Sequence, residues 1–250
     1  MEKLIFIGVV VLMGLFTSEL RVTSAVWQRA HATFYDGPKG GACGYGDQLI
    51  GDYGTNTAAL SMVLFNDGKS CGGCYQIVCD ASQVPQWCHK GTSITVTATN
   101  FCPPNYNLPN DNGGWCNPPR PHFDMSQSAF ESIAIYRAGI VPIFYRKVWC
   151  KKRDGGMKFT MNGNDYFNLV VISNVGGAGD ISNVWIKGSK MEKWESMSKN
   201  WGANWLSSRY LNGQSLSFRI QLSDGRSVIA KDVVPSNWRF GQTFFSNVKL

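Results

Sequence analysis

Residues 215–230 read Ser-Leu-Ser-Phe-Arg-Ile-Gln-Leu-Ser-Asp-Gly-Arg-Ser-Val-Ile-Ala. Polar and apolar side chains alternate over 215–222, which is the two-residue period of a half-buried β-strand. An apolar run follows at 228–230. The Asp224-Gly225 pair between the two runs is a strong signal for a β-hairpin. The stretch therefore predicts antiparallel sheet with one face of each strand turned towards a core.

Strand patterns recur along the whole chain. Alternating, β-branched or aromatic runs occupy 93–98, 142–145 and 166–172. In the second half, Asn-Gly, Gly-Gly and Asp-Gly pairs separate short runs, which favours a β-sandwich. The first half combines strands with long irregular loops and is more typical of a small barrel. We therefore predict an all-β protein.

Helical signals are scarce. The best candidate begins at Asp124, because Gln127 stands three residues later in the spacing of a capping box. A weaker candidate covers residues 57–65. Neither is long, so helices are expected to be minor elements between strands.

The first 25 residues are typical of a secretory signal peptide. Lys3 precedes an apolar run from Leu4 to Phe16, and small residues follow at 23–25. Such a run is too short for a comfortable membrane span. We expect cleavage near Ala25 and a mature chain that is extracellular and has no integral membrane segment.

The cysteines divide the remaining chain. All 8 lie between Cys43 and Cys150. An even number in an oxidising compartment indicates a disulfide framework, although spacing alone leaves the pairing open. We predict a disulfide-rich domain at 26–150, a linker at 151–156 that ends in Gly-Gly, and a second domain at 157–250 that stands on its own core.

The charge is also uneven. The whole chain has a formal net charge of +7. Residues 157–250 carry eleven basic and six acidic side chains, a net charge of +5. A basic secreted domain is attracted to acidic polymers such as uronate-rich polysaccharide, although scattered charge also serves simple solubility. Without a basic run or recognition motif, nucleic acid is not an expected partner.

Several longer motifs follow one another in a fixed order. They lie at 27–35, 40–46, 53–61, 97–105, 122–124, 175–180 and 210–215. Together they resemble the plant α-expansins and cover essentially all of the chain after the signal segment. The motif His122-Phe123-Asp124 is the most informative for function, because it places one acid directly after an aromatic and cysteine-rich loop.

The resemblance implies a fold and an activity. It implies a six-stranded double-psi β-barrel followed by an immunoglobulin-like β-sandwich that binds cellulose. It implies a secreted protein of the plant cell wall that lets cellulose microfibrils and matrix glucans such as xyloglucan slip without hydrolysis, with activity favoured at acidic pH. Nothing in the sequence indicates a cofactor or an oligomer, so a cofactor-free monomer is expected.

The resemblance also implies the disulfide pairs. These are Cys43–Cys71, Cys74–Cys150, Cys79–Cys88 and Cys102–Cys116, the last of which closes the loop before the acid. A metal site is not expected. Cys71 and Cys74 have zinc-like spacing, but the histidines lie far apart in sequence and the secreted setting favours disulfides.

Asp124 is the principal candidate acid. In the related family-45-type endoglucanases, which share the barrel, the equivalent acid protonates the leaving glycosidic oxygen. A protonated carboxyl group can also donate a hydrogen bond to a glucan oxygen without breaking a bond, and burial beside aromatic rings raises its pKa. The alternative is that Asp124 only caps the helix it precedes.

Hydrolysis requires a second carboxylate about 5–9.5 Å from the first. Asp36 is the acid nearest to a motif, but its Asp-Gly-Pro context reads as a turn,. The resemblance implies that the catalytic base is absent, so we do not expect an enzyme. The alternatives are a weak endoglucanase that uses Asp124 and Asp36, and a carbohydrate-binding defence protein of the barwin type.

Further groove residues are expected around the acid. The resemblance places Thr33, Tyr35, Asn100 and His122 near Asp124. Hydroxyl, amide and imidazole groups suit sugar hydroxyls, which both donate and accept hydrogen bonds. The alternative for Thr33 and Tyr35 is internal packing, since strand alternation turns one of two neighbours inwards.

The second half is rich in aromatic residues, and most of them are expected in the core. By resemblance, the exposed rings that stack on cellulose include Trp201 and one of Tyr166 and Phe167, because alternation allows only one of that pair to face outwards. Trp205 is a weaker candidate. Lys199 adds an attraction for acidic matrix sugars.

Overall fold

The computed structural model describes residues 26–36, 41–46, 53–151 and 155–248. The predicted signal peptide and half of the predicted linker, residues 152–154, lie outside the described residues. Within these described ranges, no helix is long and apolar enough to cross a membrane.

The first domain is a closed barrel of six strands. These strands are β1 Gln28–Tyr35, β2 Thr57–Leu60, β3 Cys74–Cys79, β4 Ile94–Phe101, β5 His122–Ser126 and β6 Val141–Val148. Their order around the barrel is β1-β5-β2-β4-β3-β6. The β1–β5 and β2–β4 pairs are parallel and the other pairs are antiparallel.

Strand alternation decides which side chains fill the barrel. Ala30 and Ala32 of β1, and Phe123 and Met125 of β5, are buried in its core. Successive side chains of a strand point to opposite faces, so Thr33 of β1 and Asp124 of β5 lie on the outer face. The core pattern thus directs the side chains of Thr33 and Asp124 to the outer side of the barrel.

The helices differ from the predicted ones. Helix α1 spans Met62–Phe65, and the preceding residues form β2 instead. Helix α2 spans Gln127–Glu131, after Ser126, and Asp124 lies in the middle of β5. The predicted helix start at Asp124 is therefore wrong and the capping alternative does not hold, because the strand continues past Asp124 and the helix begins after Ser126.

The second domain consists of two sheets. Its strands are β7 Lys158–Asn164, β8 Phe167–Ser173, β9 Ile181–Gly188, β10 Glu195–Ser196, β11 Ser198–Lys199, β12 Asn204–Ser207, β13 Leu216–Leu222, β14 Ser227–Val234 and β15 Thr243–Phe245. One sheet has the order β10-β9-β13-β14 and the other β11-β12-β8-β7-β15. The hairpin predicted at 215–230 is confirmed as β13 and β14.

The two sheets enclose the larger apolar core. Phe159 of β7 and Phe218 of β13 stack across it with ring centroids 4.9 Å apart. Val170, Ile172 and Ile220 are buried beside them. The predicted all-β class, with a barrel followed by a sandwich, is confirmed.

The disulfides all lie in the barrel half. They join Cys43 to Cys71, Cys74 to Cys150, Cys79 to Cys88 and Cys102 to Cys116. These are the pairs that the resemblance implied. The Cys150 amide also donates to the Gly177 carbonyl at 2.7 Å, so the last cysteine is hydrogen-bonded to the sandwich.

Backbone groups join the two domains directly. The Ala203 amide donates to the Cys43 carbonyl at 2.8 Å. The backbone of Gly202 also packs on that of Gly68 in the barrel. Such approaches leave no room for a β-carbon, which explains why glycine stands at these contacts.

Gly202→Ala tests this docking. Its φ of +52° already disfavours alanine, and a methyl group would overlap the Ala42 carbonyl oxygen and lie 2.7 Å from Cys43 Cα. The matched control Gly213→Ala has a φ of +72° but open space around it.

We expect the control to lose about 1–2 kcal/mol of unfolding free energy from backbone strain. Gly202→Ala should lose about 1–3 kcal/mol more from overpacking. Chemical denaturation of both variants measures the difference, and equal losses would contradict the docking contact.

Candidate functional site

Asp124 lies at the centre of the outer face of the barrel. The register pairs it with Thr33 of β1 on one side and with Ala59 of β2 on the other. Its flanking residues, Phe123 and Met125, are fully buried. Alternation therefore directs the Asp124 side chain away from the core, where it is half-buried,.

A chain of hydrogen bonds joins His122, Thr33 and Asp124. The Thr33 hydroxyl donates to Asp124 Oδ1 at 2.7 Å. A hydroxyl has one hydrogen, so its oxygen accepts from His122 Nε2–H at 2.8 Å,. His122 Nδ1 is buried without a partner in the described structure, which suits the unprotonated nitrogen of this tautomer.

Burial shifts the two titratable groups in opposite directions. Burial, together with the smaller effect of the positive charges of His31 and Arg120, lowers the pKa of His122 to about 3. The imidazole therefore stays neutral in mildly acidic solution. Burial raises the pKa of Asp124, and the hydrogen bond from Thr33 opposes that rise. Asp124 thus takes up a proton more readily than an exposed aspartate.

A groove of about 370 Å³ opens above this carboxyl group. Thr33, Phe34 and Asp124 form its floor, and the 102–116 loop forms a wall that includes Trp115. The Cys102–Cys116 disulfide closes the loop at its base. A groove with an acid on its floor and an aromatic ring in its wall can hold a sugar chain and donate a proton or a hydrogen bond to it.

Trp115 is a candidate that the sequence analysis did not single out. Its ring is half-buried, and the Arg120 guanidinium lies 5.9 Å from the ring centroid. Asn117 holds the loop in place. Its side-chain oxygen accepts from the Asn105 amide at 2.7 Å, and its nitrogen donates to the Asn105 and Leu108 carbonyls at 3.0 Å. The sequence did contain a signal for this residue, because Trp115 stands inside the Cys102–Cys116 loop that precedes the acid.

Tyr35 extends the same face of β1. It stands two residues beyond Thr33, so the two side chains share the outer side of the strand. The Tyr35 hydroxyl lies 3.3 Å from the hydroxyl of buried Thr57. Burial raises the pKa of Tyr35, which keeps the phenol neutral. Thr33 and Tyr35 therefore both face away from the barrel core, and the internal-packing alternative does not hold for them.

The Asn100 side chain is hydrogen-bonded to backbone amides of the barrel domain. Its amide oxygen accepts from the Ala42 and Phe101 amides, both at 2.8 Å. Its side chain also packs on Gly41, where a β-carbon would overlap it. Asn100 does not border the groove described above. The structure thus gives it a role in fastening the 41–46 segment to β4.

Exposed aromatic rings flank the outer face of the five-stranded sheet. Trp201 is 50% exposed, Tyr166 66% and Phe167 40%. Tyr166 also contacts Tyr210, with ring centroids 5.4 Å apart. Both members of the Tyr166–Phe167 pair are exposed because Tyr166 lies in the turn before β8, where strand alternation does not apply. The expectation that only one faces outwards is therefore corrected.

Trp205 is a second correction. It is 3% exposed and belongs to the sandwich core. Its register partner on β8 is Val170, which is also in the core. Paired residues share a face of the sheet, so Trp205 points inwards and its ring cannot form part of an exposed stacking surface.

Trp201 lies against the barrel. A β-carbon on Gly44 would lie 2.9 Å from the Trp201 ring. Leu206 pairs with Leu169 on the outer face between Trp201 and Phe167, and both leucines are half-buried. We name the set Trp201, Leu206, Leu169, Phe167 and Tyr166 the apolar strip. It crosses the sheet from the barrel to its far end.

Among the described residues, no carboxylate besides Asp124 borders the groove. Asp36 is exposed and follows β1. Because Thr33 is the partner of Asp124, Asp36 lies three residues further, about 10 Å along the strand,. Asp47 and Asp52 lie outside the described residues. Among the residues that the structure describes, no cluster of His, Cys, Asp or Glu is arranged for a metal ion.

Comparisons with known proteins agree with this architecture. Residues 157–235 match the family model described as the expansin C-terminal domain, and residues 57–145 match the double-psi barrel family described as lytic transglycolase. Expansin-A13 of Oryza sativa subsp. japonica is 57% identical over 229 residues, 90% of this chain and 87% of that protein. Expansin-A12 of Arabidopsis thaliana is 52% identical over 244 residues, 95% of this chain and 94% of that protein.

Solved structures share the fold. The apo expansin of Clavibacter michiganensis has a TM-score of 0.63 and 17% identity, with 89% of this chain and 96% of that chain covered. A mutant of the same bacterial protein, in complex with cellohexaose, has a TM-score of 0.63 and 16% identity, with 89% and 97% covered. At this identity the likeness concerns the fold, which is a double-psi barrel followed by a sandwich.

Asp124→Asn tests the environment of the acid through stability. Because the pKa of Asp124 is raised in the folded state, its ionised form is disfavoured there, and stability is lost as the pH rises through the folded pKa,. Asparagine has no such charge and can still accept from Thr33. We expect the variant to melt higher than the wild type at neutral pH, with the difference shrinking as the pH falls through the raised pKa towards the ordinary value of 3.8,. Melting curves across this pH range check the sign, and exposed Asp111→Asn is the control that should show no such trend.

Proposed function

This chain belongs to the expansin family of cell-wall-loosening proteins, and we propose that it loosens the plant cell wall by disrupting non-covalent contacts between cellulose and matrix glucans, without hydrolysis. One observation carries the proposal. Asp124 is the one carboxylate among the described residues that border the groove. A single proton-donating acid can alter hydrogen bonding, whereas glycoside hydrolysis uses two carboxyl groups.

The groove supplies the contact with a glucan chain. Sugar rings have apolar faces that pack on flat aromatic side chains, and Trp115 offers such a face in the wall. Thr33 borders the groove, and Tyr35 lies two residues further along the same face of β1. Their hydroxyl groups suit the hydroxyls of a glucan such as xyloglucan.

Asp124 acts on the bound chain as a hydrogen-bond donor. Thr33 donates to Oδ1 of the carboxyl group, so a proton taken up from solution resides on Oδ2. That O–H competes with a neighbouring glucan for an oxygen of the bound chain. Neutral His122 keeps Thr33 oriented by donating to its oxygen. Each exchange replaces a glucan–glucan hydrogen bond with a protein–glucan bond, and no covalent bond changes.

Acidic conditions favour this form of the acid. Burial raises the pKa of Asp124, so a larger fraction is protonated as the pH falls than for an exposed aspartate,. Because the donor is the protonated carboxyl group, activity is expected to rise towards acidic pH. The neutral state of His122 persists over the same range.

The sandwich supplies the attachment to cellulose. The apolar strip presents the exposed rings of Trp201, Phe167 and Tyr166 on one side of the five-stranded sheet. Spaced aromatic rings of this kind match the flat surface of a crystalline glucan. A structural neighbour of the same fold in complex with cellohexaose supports a glucan ligand for this fold. We place the mature chain in the cell wall as a monomer, after secretion and removal of residues 1–25.

The first experiment measures constant-load extension of heat-inactivated plant cell walls, with reducing ends assayed in the same bath. We expect the wild type to extend walls at acidic pH without new reducing ends. Asp124→Asn should lose most of this acid-dependent extension, because an amide is a weaker hydrogen-bond donor than a carboxylic acid and its donor strength does not change with pH. Asp111→Asn, which makes the same change at an exposed position of the neighbouring loop, should retain it.

Extension by Asp124→Asn would overturn the role of the acid. Reducing ends that depend on Asp36 would instead indicate a weak endoglucanase.

The second experiment tests the strip. Trp201→Ala removes half-exposed aromatic surface and should weaken binding to crystalline cellulose about tenfold, which corresponds to about 1.4 kcal/mol. Trp149→Ala is the matched control, since Trp149 is 71% exposed but lies outside the strip. Pull-down isotherms on cellulose measure both. Equal weakening by the two variants would show that binding does not depend on the strip.

A further inference from the structure

A second cavity lies between the two domains, away from the groove. It encloses about 630 Å³, within the size range of ligand sites,. Lys69, Tyr75 and Lys147 of the barrel border it on one side. Asp180, Lys199 and Trp205 of the sandwich border it on the other. We call it the interdomain cleft. It shares no residue with the groove above Asp124.

The charges of the cleft do not balance. Its one carboxylate among the described residues, Asp180, is already neutralised. Lys147 Nζ donates to both of its oxygens at 2.7 and 2.6 Å, and the Ser223 hydroxyl lies 2.7 Å from one of them. Lys69 and Lys199 have no ion-pair partner in the described part of the chain. The cleft therefore presents two uncompensated positive charges, one from each domain.

Lys199 is held in an unusual setting for a lysine. It is half-buried, and its Nζ lies 5.1 Å from the centroid of the Trp205 ring. Burial lowers the pKa of Lys199, Asp180 opposes this shift and Lys69 adds to it, so that the pKa is about 8. A desolvated ammonium group without a counter-ion is costly, and an incoming anion would compensate it.

The rest of the border is polar but uncharged. Asn66 and Ser70 from the barrel, and Ser182 and Asn183 from the sandwich, carry hydroxyl and amide groups. Trp205 borders the cleft too, and its indole N–H is buried without a hydrogen-bond partner in the described structure. Such groups suit a ligand with many hydroxyls, and the volume is far larger than an inorganic ion needs.

We propose that the interdomain cleft binds a uronic-acid residue of an acidic polysaccharide, with its carboxylate between Lys69 and Lys199 and its hydroxyls on the surrounding polar groups. This site does not depend on the activity of the groove. It gives the protein a separate attachment to acidic matrix polymers. Because each domain supplies one of the two lysines, the bound carboxylate also bridges the domains.

The test uses the mature protein and calorimetric titration with trigalacturonate in dilute, mildly acidic buffer. Lys199→Met keeps the packing of the stem on Trp205 and removes the charge, so the dissociation constant should rise about tenfold. Exposed Lys69→Met should raise it several-fold. Lys231→Met is the matched control, since it removes the same charge from an exposed position of β14 outside the cleft. The control variant should change the dissociation constant less than about twofold, because an exposed charge outside the cleft contributes little to binding.

The outcomes separate the alternatives. Weakening by both cleft variants but not by the control supports the site, provided that melting curves show the variants to be folded. Equal weakening by all three lysine variants would mean general electrostatic attraction and would overturn the proposal. Absence of trigalacturonate binding would overturn it as well. Sulfate that binds as tightly as trigalacturonate and displaces it would reduce the cleft to a simple anion site. Neutral cellotriose should not compete at this site.

Discussion

The parallel pairing of β1 with β5 is the constraint on which the site depends. Its register places Thr33 beside Asp124 and His31 beside His122. In the same strands, Ala32, Phe123 and Met125 fill the barrel core. A slip of one residue would exchange the two faces and bury the acid while exposing the phenylalanine. The core therefore fixes the position of the carboxyl group, and the hydrogen-bond chain from His122 through Thr33 follows from the packing of apolar neighbours.

The two buried titratable groups affect stability in opposite ways. The pKa of His122 is lowered to about 3, so stability is lost as the pH falls below the ordinary value of 6.5, where the unfolded chain takes up a proton. Between about pH 7 and pH 5 this loss is about 2 kcal/mol. The raised pKa of Asp124 acts in the other direction and favours the fold as the pH falls. A neutral His122 therefore lowers the free energy of unfolding at acidic pH. The same neutral imidazole donates the hydrogen bond that orients Thr33.

Local sequence patterns predicted the all-β class and the candidate acid. Which other side chains face the site or the core depends on pairing between strands that are distant in sequence. The alternation at 215–222 and the Asp-Gly turn are local signals, and they gave the hairpin β13–β14 correctly. The helix expected from Asp124 begins only at Gln127, because a capping-box spacing also occurs where a strand runs into a helix, as β5 runs into α2. Trp201 and Trp205 stand only four residues apart in the sequence, and only the pairing of Trp205 with Val170 shows that it faces the core. Trp115 lies in the groove because of the conformation of an irregular loop. Hydrophobic periodicity in the sequence does not predict such a conformation.

The docking of the two domains bears on how a protein can loosen a wall without cutting it. Asn100 fastens the 41–46 segment to β4 of the barrel, Trp201 rests on Gly44 of that segment, and the Ala203 amide binds the Cys43 carbonyl. The apolar strip therefore begins where the barrel ends, and the acid and the strip belong to one packed unit. Under the proposed function, binding free energy from cellulose holds the groove against a neighbouring glucan, so that each hydrogen bond exchanged at Asp124 lets the chains move relative to a fixed anchor. A flexible connection would uncouple these events, because the barrel would move with the glucan it had released.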